Sequence, residues 1–134
     1  MRATDGQFSD HGFAVLTGAA HAALFLLGAL VGMFGCFYFA ETVVGVPIGT
    51  VLGIGANFVM CWLGGLGMRS KLGAALPAAG WLVVAMAFAA GRPEGDIVVT
   101  STGLGLTFLF GGTVAAGVGI GAAPSAWLRQ RGFR

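Results

Sequence analysis

Charge is scarce in this sequence. Its 134 residues include seven Lys or Arg and five Asp or Glu, 9% charged in all, against 57% hydrophobic. A soluble domain this small needs a much larger charged surface. That excludes a soluble enzyme, a nucleic-acid module and a disordered chain. Cysteine is scarcer still. Cys36 and Cys61 are too few for a disulfide framework, and their depths along the expected helices differ by roughly 15 Å at ~1.5 Å per residue. They read as small apolar packing residues. The sequence also has no nucleophile–base pair, metal-ligand cluster, phosphate loop or CxxC. No catalytic residue, cofactor or metal is therefore expected, and the chain is not expected to be an enzyme.

What is present is organised by the few charges. They fall at 2–10, 41, 69–71, 92–96 and 129–134, and leave charge-free runs at 13–40, 42–68, 72–91 and 97–128. Each run reaches the roughly 20 residues that a helix needs to cross a ~30 Å hydrocarbon layer. The expected fold is an all-α, four-helix transmembrane bundle with short loops and antiparallel neighbours, spans at about 13–39, 47–68, 72–90 and 98–123, and no second domain. The lipid bilayer is then the first partner, and no nucleic acid is expected.

The charges also suggest an orientation. With the N-terminus in the cytoplasm, the inner segments hold Arg2, Arg69, Lys71, Arg129, Arg131 and Arg134, and the outer segments only Arg92. This positive-inside bias places both termini in the cytoplasm. Residues 1–12 read as a polar tail, with Asp10 as a helix cap near Gly12. The run that follows is too long for a cleavable signal, so span 1 is expected to stay as its own anchor. Pro47 suits the first turn of span 2. Pro77 predicts a kink or a late start in span 3, and Pro124 a bend in span 4 or its end. Asp96, Thr100 or Ser101 could cap span 4.

Glycine is abundant, at 25 residues. In water so many would weaken helices, whereas between membrane helices small residues let backbones approach closely. Spacings of three and four put Gly18, His21, Phe25, Gly28, Gly32 and Gly35 on one face of span 1. Gly49, Gly53, Asn57, Met60, Gly64 and Gly67 do the same in span 2. Span 3 offers Gly73, Pro77, Gly80, Val84, Ala87 and Gly91, and span 4 offers Gly103, Thr107, Gly111, Val114, Gly117 and Gly121. Gly28, Gly32, Gly49, Gly53, Gly117 and Gly121 are the expected packing positions, either within one bundle or against a second copy or larger complex.

Two polar side chains fall on these seams. His21 is the only histidine inside a span, and an ionisable group there is a candidate functional site. Asn57 lies near the middle of span 2. At ~1.5 Å per residue they sit roughly 12 and 16 Å deep and could meet. The bland reading is a neutral His21 bonded to Asn57 or to a backbone carbonyl. The sharper one is a proton or ligand path. Glu41, Arg92, Glu94 and Asp96 form an outer polar cluster, either a solvated loop or a contact surface, with Glu41 and Arg92 as a weak exposed pair.

The stretch Gly91-Arg92-Pro93-Glu94-Gly95-Asp96-Ile97-Val98-Val99, followed by Phe108-Leu109-Phe110-Gly111-Gly112-Thr113, resembles a family of uncharacterised small four-span membrane proteins from actinobacteria. The resemblance implies a bacterial plasma (inner) membrane location and supplies no catalytic or binding residues. Two functions are expected from the whole pattern. The first is an accessory or scaffold subunit acting through helix packing, as a homo-oligomer or in a larger membrane complex. The second is a small oligomeric transporter or channel with His21 and Asn57 along its path.

Overall fold

The computed structural model describes residues 2–90, 93 and 102–124, with side chains from residue 9 onward. The described residues form four helices: α1 (Arg2–Tyr38), α2 (Ile48–Met68), α3 (Lys71–Ala89) and α4 (Gly103–Ala122). All four are long and apolar enough to cross a membrane. A helix satisfies its backbone internally, which is what an apolar run requires where no water can reach it.

The ends follow local chemistry. Arg69 takes the left-handed conformation after α2, and its N–H bonds the carbonyls of Gly65 and Leu66. Ser70 then caps α3 by accepting from the Gly73 N–H at 3.1 Å. Helix α3 starts at Lys71 and runs unbroken through Pro77, so its start is not late. Thr102 caps α4 by accepting from the Gly105 N–H at 3.3 Å. That start is later than the expected 98. Asp96, Thr100 and Ser101 lie outside the described residues. Helix α4 ends at Ala122, two residues before Pro124.

Between α1 and α2 the chain reverses in a two-residue turn. Val43 and Val46 exchange backbone hydrogen bonds of 3.0 Å, and the turn residues Val44 and Gly45 have φ of 53° and 78°. Positive φ at both centres is the type I′ geometry that glycine tolerates and a β-branched residue resists. Behind the turn, Thr50 Oγ1 donates to the Phe39 carbonyl at 2.7 Å and fastens α2 to the end of α1.

The packing order differs from the expected arrangement of antiparallel neighbours. Helix α1 packs most extensively on α3, α4 packs on α2 and less on α3, and α1 and α4 share no backbone contact among the described residues. The α1–α3 pair runs parallel, since Gly28 lies against Pro77 and Gly32 against Trp81. Backbone meets backbone there. A Cβ on Gly28 would overlap the Pro77 backbone, and one on Gly80 the Phe25 carbonyl. Close approach at the crossing selects this pair over the loop-connected one.

Helix α1 also starts much earlier than expected. Residues 2–12 belong to it rather than to a tail. Ala20 shares a groove with Gly67 and Met68, so the end of the bundle that bears Arg69 and Lys71 is level with about residue 20 of α1. Residues 9–19 continue past that basic end, all of them exposed.

Candidate functional site

The centre of the bundle is built from two aromatic rings seated in glycine sockets. Phe108 on α4 reaches between α1 and α2, where a Cβ on either Gly35 or Gly53 would stand 2.8 Å from its ring. Trp81 on α3 has one edge against Gly32 of α1 and the other against Gly112 of α4. The two rings touch, with centroids 5.6 Å apart and planes at 55°. Phe39 completes the stack, 5.9 Å from Phe108. Cys36 and Ala85 pack around them in the same buried cluster.

Asn57 lies at this level and is buried. Its Nδ2 donates to the Gly112 carbonyl at 2.8 Å. Its Oδ1 accepts from Cys61 Sγ at 3.8 Å, a weak bond one helical turn away. Gly112 is therefore where α2, α3 and α4 meet: its carbonyl takes the amide and its missing side chain admits the indole. Cys36 and Cys61 are both buried free thiols.

His21 stands elsewhere. It lies level with the basic end, half-buried, and its Nδ1 is 2.6 Å from the Thr17 carbonyl of its own helix. That geometry has Nδ1–H donating to the carbonyl. Among the described residues no hydrogen bond joins His21 to Asn57. The expected meeting of the two fails because α1 extends so far past the bundle that depth counted from its charged end overstates how deep His21 lies. Thr17, Thr107 and Thr113 each donate to the carbonyl four residues back, as membrane-helix threonines commonly do.

Of the outer cluster, Glu41 is exposed and its backbone carbonyl accepts from the Gly49 N–H at 3.1 Å. Arg92, Glu94 and Asp96 lie outside the described residues.

Of the packing glycines, Gly28, Gly32, Gly49 and Gly53 are buried against neighbouring helices, and a Cβ on Gly49 would overlap the Tyr38 carbonyl. Gly117 and Gly121 face outward with open space around them. The buried face of α4 is Gly105, Phe108, Gly112, Ala116 and Gly119 instead. Within this bundle the face of α4 that packs is not the one with the most glycines, because its seam contains one large ring. Its spacing of three and four was present in the sequence, but only the facing glycines of α1 and α2 explain why a phenylalanine belongs there.

Trp81 carried no signal in the sequence, and Lys71 only that of a basic turn. Lys71 Nζ lies 3.4 Å from each of the Ile120 and Gly121 carbonyls and so places a cation at the C-terminal end of α4. Trp81 Nε1 is, among the described residues, the one buried side-chain nitrogen or oxygen without a hydrogen-bond partner. The described residues hold no group of three or more potential metal ligands. Chemically, the arrangement is a filled core with one satisfied amide.

Comparison with curated proteins and with solved structures gives no match. A family model does match, over a stretch far wider than residues 91–113. The chain belongs to DUF6113, a family of unknown function whose model covers residues 13–132.

Proposed function

We propose that this is a small accessory or scaffold subunit of the bacterial plasma membrane, with both termini in the cytoplasm, working through helix packing with a larger membrane complex. The observation that carries this reading is the projection of α1. The helix has 37 residues, about 55 Å at ~1.5 Å per residue, against a ~30 Å hydrocarbon layer. Residues 9–19 extend about 16 Å past the basic end of the bundle. Phe13, Val15 and Leu16 within them are 68%, 71% and 68% exposed. An apolar helix standing clear of its own bundle suits docking to another membrane protein. The six-to-one bias of basic residues supports the orientation.

The transporter reading has less support. Its two polar residues are each engaged with a backbone carbonyl, and Trp81 and Phe108 fill the bundle centre at the level of Asn57.

The test is purification of tagged protein from its native membrane in mild detergent, comparing wild type with Phe13→Ser/Leu16→Ser. Both side chains are exposed, so the bundle should fold in the variant. A stoichiometric larger partner that the variant loses supports the scaffold reading. A homo-oligomer unaffected by the variant sinks it and returns weight to transport, to be followed by flux assays on His21→Ala and Asn57→Ala.

A further inference from the structure

Two apolar grooves run along the α1–α2 face. The one nearer the Glu41 turn measures about 320 Å³ and is bounded by Phe34, Tyr38, Leu52 and Ala56 among others. The one at the basic end measures about 380 Å³. Its walls include Ala23, Leu27, Leu63 and Met68, with Gly64 and Gly67 also lining it. The two grooves differ in what stands at their mouths. The first is lined at one end by Tyr38, three residues before the acidic Glu41. The second ends at Met68, and Arg69 follows directly.

Arg69 is exposed, and no hydrogen bond joins its guanidinium to another described side chain or backbone group; Lys71 is engaged with the end of α4. The bundle thus pairs an apolar trough with an exposed guanidinium that follows its last lining residue in the chain. A guanidinium binds phosphate oxygens in a fork and keeps its charge at any physiological pH.

We infer that the groove at the basic end holds one anionic phospholipid, with an acyl chain along Gly64 and Gly67 and the phosphate on Arg69. Charge complementarity selects this occupant. A zwitterionic lipid gains the same apolar contact but little from Arg69, and a second copy would bring a like charge to the same mouth. The inference depends on neither the orientation nor the scaffold role proposed above.

The test is native mass spectrometry of the detergent-purified full chain, titrated with phosphatidylglycerol or phosphatidylcholine of matched acyl chains. Wild type should prefer phosphatidylglycerol by about fivefold, the value of one basic residue near an anionic headgroup. Arg69→Gln keeps a long side chain at the α2 cap and should remove the preference. Gly67→Leu should weaken both lipids several-fold. Gly67 has open space where a Cβ would stand, so the helix should tolerate the change, and circular dichroism checks that it does. Ala56→Leu, in the other groove, should leave the preference intact. Equal binding of both lipids by wild type, a preference that survives Arg69→Gln, or a homodimer that Gly67→Leu abolishes would each overturn the assignment.

Discussion

Asn57 donates its side-chain amide to the carbonyl of Gly112, 2.8 Å away, and so fastens α2 to α4 at mid-height. Hydrogen bonds between membrane helices contribute about 0.6 kcal/mol on average and about 1.7 at most. Asn57→Ala should therefore lower stability by about 1–2 kcal/mol, including a small cavity. Denaturant titration of the purified chain in micelles measures this. A change under a few tenths of a kcal/mol would mean that the bond is not formed.

The glycines should divide by location and not by motif. Gly49→Ala places a methyl on the Tyr38 carbonyl and Gly28→Ala places one on the Pro77 backbone. Each should cost about 1–3 kcal/mol, because backbone cannot step aside. Gly121→Ala meets open space and should be neutral or gain up to about 1 kcal/mol. Thermal unfolding in one detergent ranks all three. An equal loss at Gly121 would show that its face is covered in solution.

Trp81 separates shape from hydrogen bonding. Trp81→Ala empties the socket between Gly32 and Gly112 and should cost about 3–5 kcal/mol. Trp81→Phe keeps a ring and removes an unpartnered buried donor, so its cost should stay within about 1 kcal/mol. A phenylalanine variant as damaged as the alanine one would show that Nε1 has a partner in the membrane.

Val44 sits 97% exposed at the tip of the α1–α2 turn with φ of 53°. Val44→Asn makes the Asn-Gly pair that type I′ turns favour and should raise stability by about 1 kcal/mol. A rise in the unfolding temperature checks it. A fall would mean that the valine makes a contact outside the bundle.

Much of this was legible in the chain itself. The four charge-free runs dictated four helices, because a long apolar segment can hide its backbone only by coiling on itself. Pro124 and the Arg69–Lys71 pair marked ends from the same local chemistry. Glycine seams on α1 and α2 were readable from their spacing, since 3.6 residues per turn places positions three and four apart on one face.

Tertiary structure decided what a single helix cannot encode. Which glycines face inward depends on the ring each must admit: Phe108 chose Gly35 and Gly53, and Trp81 chose Gly32 and Gly112. That choice turned α4 away from Gly117 and Gly121. The parallel α1–α3 pairing follows from backbone contact at Gly28 and Gly80, two positions 52 residues apart. His21 and Asn57 were separated by the register between helices, which depth counted along one sequence run cannot supply. Apolar composition is a property of each segment. Complementary shape belongs to pairs of segments, and it exists only once they meet.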